Sequence, residues 1–282
     1  MLWVGLVLAL LASALFNVGI GLQAIEARAT PPEEGLHPSL LVRLVQRPRW
    51  LIGFVLGGIG ALVEIAAFAN APFIVVEPIL AAGLLLLLAM GQWELGEKIR
   101  LPVVWGVLGI IAGTALIAWG APPHSEGHRG ALDLTAVTAG MGLASLAPFL
   151  LRRSRWYSPM LANIASAVGF AATNLAAKLL ADDIDSGHPR AAALWLAVAI
   201  AAGVTATLSG MTALQRLPAT TAVPISTAVQ TFLPVALEPL IFTESWRAAE
   251  LEGAVLVAGL VVMAVGTVLV ARSRSVSVMI AS

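Results

Sequence analysis

Three carboxylates and one ammonium group interrupt otherwise apolar stretches of this 282-residue chain. Glu64, Glu77 and Glu238 each lie in such a stretch, and Lys178 lies in a fourth. An ionised side chain at the centre of a bilayer costs about 2.5–3.5 kcal/mol on insertion scales, so these groups must face the protein interior or an aqueous cavity if the stretches cross a membrane. They predict an outward-facing vestibule or a cation or proton site, with Lys178 as a counter-charge. Because Glu77 and Glu238 each precede a proline, capping of a broken helix turn near the interface is an equal alternative for these two.

A stripe of polar side chains marks the stretch that contains Lys178. Asn163, Ser166, Phe170, Asn174 and Lys178 follow one another at spacings of 3, 4, 4 and 4 residues, which places them on one face of an α-helix. Such a stripe either lines a translocation path or forms hydrogen bonds between helices, which contribute only about 0.6 kcal/mol each on average in membranes. The spacing alone does not separate these two alternatives.

Other polar and helix-breaking residues point to the same region. Asn17 begins a second, weaker polar stripe in the first apolar stretch, and Pro78 and Pro224 each lie one to two turns inside a later one. A proline removes a backbone donor and kinks a helix, and in transporters such breaks expose backbone carbonyls to a cavity. We therefore expect Asn17, Pro78 and Pro224 to border one central site with the carboxylates.

Apolar runs long enough to cross a hydrocarbon core of about 30 Å recur along the whole chain. Hydrophobic residues make up 59% of the composition and charged residues 11%, which is typical of an integral membrane protein. The first run lacks a basic n-region and a cleavage site, so we interpret it as a retained helix. The sequence predicts an all-α, polytopic membrane protein with nine transmembrane helices, over residues 2–25, 50–69, 73–91, 102–120, 132–151, 159–181, 191–213, 219–242 and 252–271.

The sequence lacks the residues that several classes of function require. The chain has no cysteine, and all four histidines lie in predicted loops, so thiol catalysis and an embedded metal or histidine site have no support. We predict that the protein is not an enzyme and has no cofactor or metal site. A formal net charge of zero gives no electrostatic footprint for nucleic acid. The predicted partners are a small-molecule or ion substrate and membrane lipids, and a homodimer is left open.

Two of the predicted helices resemble copies of each other. Gly106 and Gly113 recur 153 residues later as Gly259 and Gly266, each within a similar apolar run. The copies are separated by five spans, so they would cross the membrane in opposite directions. This pattern predicts an inverted-topology repeat, which gives alternating access a mechanical basis in transporters.

The repeat and the charges predict the organisation of the chain. We expect one transmembrane domain over 1–272, with repeat one over 1–120, an unpaired helix over 132–151 and repeat two over 159–271, followed by a tail over 273–282. Nine spans sort the sixteen basic residues into twelve on one face and four on the other. Because basic residues favour the cytoplasmic face, the sequence predicts a multi-pass protein of the cell membrane with its amino terminus outside and its carboxyl terminus cytoplasmic.

Residues 67–117 and 213–246 resemble the drug/metabolite transporter superfamily of EamA-like proteins. Both segments contain a small-residue helix, a short turn with proline and an apolar helix that ends in Gly-Glu or Thr-Glu, at Glu97 and Glu244, and a helix with the pattern G-x6-G-T follows. The resemblance implies ten helices in two inverted five-helix repeats. The nine spans of this chain correspond to that fold without its first helix.

Within the superfamily, the layout is most similar to the NIPA-type branch. A long hydrophilic first loop, Trp50 before the second span and the motif A-P-x-x-x-V-x-P from Ala71 to Pro78 carry this likeness. The resemblance implies magnesium transport. The chain departs from the branch at Ala61 and Glu77, so no metal ligands are transferred from it.

These observations leave three hypotheses. The leading one is a secondary transporter that moves a small solute by alternating access, with coupling to protons through Glu64 as an option. The alternative is a divalent-cation (magnesium) transporter or channel of NIPA type. The remote alternative is a membrane scaffold that transports nothing.

Overall fold

The computed structural model describes residues 2–120, 131–241 and 250–280, and every regular element in these ranges is helical. The helices in chain order are α1 (Leu2–Arg28), α2 (Pro38–Val45), α3 (Pro48–Asn70), α4 (Phe73–Trp93), α5 (Leu101–Gly120), α6 (Ala131–Ser145), α7 (Ala147–Leu151), α8 (Pro159–Asp185), α9 (Pro189–Leu214), α10 (Ala219–Ile241) and α11 (Glu250–Ile280). A single 3-10 turn, Pro32–Glu34, precedes α2.

Eight of the described helices are long and apolar enough to cross a membrane. They are α1, α3, α4, α5, α8, α9, α10 and α11, and they coincide with eight of the nine predicted runs. Their ends lie within a few residues of the predicted ones, except that α11 continues to Ile280. The predicted all-α, polytopic membrane fold class is therefore confirmed.

The remaining predicted run, 132–151, forms two helices instead of one. α6 ends three residues before Pro148, and α7 begins one residue before it. Proline has no N–H for the helical ladder, and its ring clashes with the carbonyl four residues earlier. The proline therefore accounts for the break between α6 and α7.

The helices pack in two similar sets. In the first half α1 packs against α3 and α4, and in the second half α8 packs against α9 and α10. The two predicted copies of one helix, α5 and α11, form an extensive pair with each other. The helices of the two halves thus have matching contacts.

Two large clusters of buried apolar side chains hold the halves together. One joins the ends of α1 and α9 to the start of α10 and includes Ala27, Leu214 and Leu217. The other lies among α4, α5, α10 and α11 and includes Leu87 and Ile110. Both clusters contain residues from each half, so they fix the halves around the space between them.

The long hydrophilic connection after α1 is ordered by contacts with the second half. The backbone N–H of Leu36 donates to Thr212 Oγ1 on α9 at 2.9 Å. Within the amphipathic α2, Leu40 and Leu44 are buried while Val42 is exposed. The connection therefore folds back onto the bundle.

Candidate functional site

A cavity of about 650 Å³ lies between the two halves of the bundle. Helices α1, α3, α4 and α5 line it from the first half, and α8, α9 and α10 line it from the second. Its apolar wall includes three aromatic rings, Phe16, Phe54 and Phe170. Cavities of roughly 300–1,000 Å³ are typical of small-molecule sites, so the volume suits a small molecule or a hydrated ion.

Two of the predicted carboxylates share this cavity. Glu64 lines it from α3 and Glu77 lines it from the first turns of α4. Neither carboxylate has a hydrogen-bond or ion-pair partner among the described residues.

The polar stripe on α8 faces the same space. Asn163 and Ser166 line the cavity and also bond to neighbouring helices: Asn163 Nδ2 donates to the Ala222 carbonyl at 2.9 Å, and Ser166 Oγ donates to the Ala206 carbonyl at 2.8 Å. Asn174 lines it, is exposed, and has no hydrogen-bond partner among the described residues. Both roles that the spacing left open, cavity lining and interhelical bonding, therefore occur on one helix face.

Asn17 lines the cavity from α1, and its Nδ2 donates to the Ser13 carbonyl in the same helix at 2.8 Å. This hydrogen bond fixes the Asn17 side-chain amide and does not involve its Oδ1 atom. Phe16 and Gln23 line the cavity from the same helix. The weaker stripe predicted in the first span thus also borders the central space.

The two predicted prolines lie next to lining residues but do not line the cavity themselves. Pro78 lies inside α4 and Pro224 inside α10, and neither side chain borders the cavity, although the preceding residues Glu77 and Val223 do. A proline leaves the carbonyl four residues earlier without its helical donor. The prolines therefore shape the helices that carry lining residues.

The last two predicted residues are only partly described. Lys178 lies on α8 and Glu238 lies on α10. Their side chains lie outside the described part of the structure. Both residues remain predictions.

A further polar stripe on α10 escaped the sequence analysis. Ser226, Thr227, Gln230 and Thr231 all line the cavity, and Gln230 Nε2 donates to Ser226 Oγ at 3.1 Å. The pairs recur after four residues, the helical period that revealed the stripe on α8. The same test applied to α10 would have found it.

The described lining is acidic in composition. It contains two carboxylates and no lysine, arginine or histidine. Among the described residues, no three histidine, cysteine, aspartate or glutamate side chains group closely enough to hold a metal ion. A cation in the cavity would therefore meet two carboxylates supplemented by amide and hydroxyl oxygens.

The cavity ends differently in its two directions. Asn174 is exposed on the side of the carboxylates. In the other direction the lining reaches Leu214, which belongs to the buried cluster that joins α1, α9 and α10. Leu217 and Ala219 beyond it are 1% and 0% exposed, so this end is sealed by apolar side chains.

Comparisons with known proteins agree with this architecture. The chain is 29% identical over 123 residues to the probable magnesium transporter NIPA7 of Arabidopsis thaliana, and 31% identical over 121 residues to the probable magnesium transporter NIPA9 of the same plant. The matches cover 42% and 43% of this chain, but only 36% and 34% of the two relatives. No family model and no solved structure matches the chain.

The similarity thus extends over about a third of each relative's length. The two relatives belong to the NIPA-type branch that the layout of spans and the motif from Ala71 to Pro78 resemble. The chain is a multi-pass helical membrane protein related over part of its length to NIPA-type proteins, and the resemblance predicted from its sequence is confirmed.

Proposed function

We propose that the protein transports a cation across the membrane through the cavity between its two halves, and that Mg²⁺ is the substrate to test first. The observation that carries this proposal is the position of Glu64 and Glu77. Two carboxylates from different helices line one cavity and have no partner among the described residues. A buried carboxylate without a partner is costly, and a bound cation removes that cost.

The lining suits a cation that keeps part of its water. Mg²⁺ dehydrates reluctantly and is usually held by one or two carboxylates while it retains several waters. The polar groups around the carboxylates, such as Asn174 and Thr231, can accept or donate hydrogen bonds to those waters. The similarity to two probable magnesium transporters supports the same substrate.

The repeated halves support a transport mechanism. The cavity lies between α1, α3, α4 and α5 of one half and α8, α9 and α10 of the other. In inverted-repeat transporters, rocking of one half against the other exposes a fixed midplane site to each side in turn. We propose alternating access of this kind, with the carboxyl terminus on the cytoplasmic face as the distribution of basic residues predicts.

Flux measurements in proteoliposomes test the proposal. The protein would be reconstituted in vesicles that contain a Mg²⁺-sensitive dye, and an inward Mg²⁺ gradient would be applied. Glu64→Gln and Glu77→Gln should each lower the flux about tenfold or more, because each removes a charge-assisted contact of roughly 1.5–3 kcal/mol. Glu94→Gln is the matched control, since Glu94 is an exposed residue beyond the end of α4. Normal flux in the double variant would refute the proposal.

A second candidate is a proton-coupled carrier of a small organic solute. Its support is the size of the cavity, about 650 Å³, and the rings of Phe16, Phe54 and Phe170 in its wall. In this case Glu64 would carry the coupling proton. Solute uptake with and without a pH gradient separates the two candidates: a Glu64→Gln variant that transports normally and still responds to the gradient excludes this coupling role.

A further inference from the structure

One carboxylate outside the cavity joins the two halves of the chain. Glu97 lies in the connection between α4 and α5, and its side chain is 6% exposed. It forms an ion pair with Arg28 at the end of α1. It also accepts hydrogen bonds from the backbone N–H groups of Ala219 and Thr220, at 2.7 and 2.9 Å, and from the Thr220 hydroxyl. We call these four residues, Arg28, Glu97, Ala219 and Thr220, the clamp.

The clamp does more than cap a helix. The first N–H groups of an α-helix lack partners within the helix, and a negative charge there is favourable. A cap normally comes from a residue just before the helix, whereas Glu97 precedes α10 by 122 residues and belongs to the other half. Arg28 Nη2 extends the link, because it also donates to the Leu217 carbonyl at 3.2 Å. The halves cannot separate here without breaking these bonds.

The local backbone is built to place Glu97. Gly96 adopts a positive φ of 62°, a conformation that glycine enters without steric cost, and the Glu97 N–H then donates to the Gly91 carbonyl at 2.9 Å. A Cβ on Gly91 would lie 2.3 Å from Thr220 Cγ2. The absence of a side chain at Gly91 therefore lets the last turns of α4 approach the first turn of α10.

The clamp stands just beyond the sealed end of the cavity. On α1 the last lining residue is Gln23, five residues before Arg28, and on α10 the first is Val223, three residues after Thr220. At a rise of about 1.5 Å per residue these steps correspond to roughly 5–8 Å. Between these positions, Ala24 and Ala27 on α1 and Ala222 on α10 are each 0% exposed and belong to one buried apolar cluster.

We propose that the clamp is the gate that closes one end of the cavity, and that its release lets that end open as the halves rock. This inference rests on the proposed transport function. It assigns the Glu97 carboxylate to a positioning role, since it contacts neither the cavity nor the carboxylates in it.

Cysteine accessibility tests the gate without reference to a substrate. The chain contains no cysteine, so Gln23→Cys and Asn174→Cys each give a unique thiol, one near each end of the cavity. A membrane-impermeant maleimide would be applied from each side in turn to the reconstituted protein. With the clamp intact, the thiol at position 23 should react slowly from the clamp side.

Opening of the clamp should change the labelling rates of the two thiols in opposite directions. Adding Glu97→Gln should raise the labelling rate at position 23 from the clamp side about tenfold or more, which is the population change that about 1.4 kcal/mol produces. The same substitution should lower the labelling rate at position 174. Thr220→Val, which removes one hydroxyl donor and leaves Glu97 in place, should act in the same direction and covers the case in which Glu97→Gln does not fold.

Two controls separate gating from loss of stability or of charge. Arg43→Gln breaks an ion pair with Glu34 in the α1–α3 connection, where Nε and Oε2 are 2.9 Å apart, and should leave both rates unchanged. Gly5→Ala crowds Ala71 far from the clamp and reports on destabilisation alone. If neither clamp variant raises the rate at position 23, the gate is refuted, whatever the flux assay shows. Absent Mg²⁺ flux with an intact labelling response would refute only the proposed substrate.

Discussion

Gly113 of α5 and Gly259 of α11 meet backbone to backbone. A Cβ built on Gly113 would lie 2.8 Å from the Gly259 carbonyl oxygen, and a Cβ on Gly259 would lie 2.9 Å from the Gly113 oxygen. Gly106 and Gly266 meet in the same way, at 2.7 and 2.6 Å. In the repeat Gly106 is equivalent to Gly259 and Gly113 to Gly266, so each glycine contacts the equivalent of its neighbour. Such crossed contacts are the mark of a two-fold relation.

The close contact between α5 and α11 predicts that Gly113→Ala destabilises the protein. The added methyl group would lie below 3 Å from main-chain atoms of α11, and overpacking of this kind costs about 1–3 kcal/mol. Thermal unfolding in detergent measures the effect. Gly140→Ala is the matched control, because nothing lies within 4 Å of its Cβ position and alanine favours a helix. Equal melting temperatures for the two variants would contradict the close contact.

A bulky side chain at position 57 should block transport and spare the fold. Gly57 lines the cavity, and a Cβ there would meet nothing within 4 Å. Gly57→Leu therefore fills cavity space without a clash, and we expect flux to be lost while the melting temperature stays near that of the unmodified protein. Gly140→Leu adds the same group away from the cavity and should transport normally. Undiminished flux through Gly57→Leu would place the path elsewhere.

Mg²⁺ should stabilise the folded protein through Glu64 and Glu77. A ligand that binds only the folded state adds about 2.7 kcal/mol of stability at a concentration one hundred times its dissociation constant. The melting temperature should therefore rise with added Mg²⁺ and should stop responding when both carboxylates are changed to glutamine. Choline chloride at equal ionic strength controls for screening. A double variant that is stabilised as strongly as the original would contradict cation binding at this site.

Tyr157, in the connection between α7 and α8, should make stability depend on alkaline pH. Burial raises the pKa of its hydroxyl, and the nearby Arg216 offsets part of that shift. A raised pKa means that the folded state holds the proton more tightly, so this contribution is fully present below the unfolded pKa of about 10 and is lost as pH rises through the folded pKa. Melting temperatures of Tyr157→Phe and the unmodified protein should diverge only above about pH 10. A constant difference across that range would show that burial has no such effect.

The spans and the stripe on α8 were predictable because each depends on local sequence. Apolar runs end where charged residues begin, and that boundary fixes a membrane helix to within a few residues. A polar stripe such as Asn163 to Asn174 needs only the helical period. The break before Pro148 also had a local signal, but a run of apolar residues on both sides of it favoured one span.

The clamp could not be predicted in this way. The motif shared by the two halves marks Glu97 as the end of an apolar run, but nothing in that motif indicates its partners. Its burial results from Arg28 and Thr220, which are 69 and 123 residues away along the chain. No local pattern reports such distances; they follow from how the two halves pack.

The capping of α10 by Glu97, a residue of the other half, also has a consequence for the synthesis of the chain. Synthesis proceeds from the amino end, so the first half and its carboxylate are synthesised before α10. Until then Glu97 lacks the N–H groups that satisfy it, and α10 meets a prepared anchor when it inserts. Neither half expressed by itself would therefore complete this helix terminus.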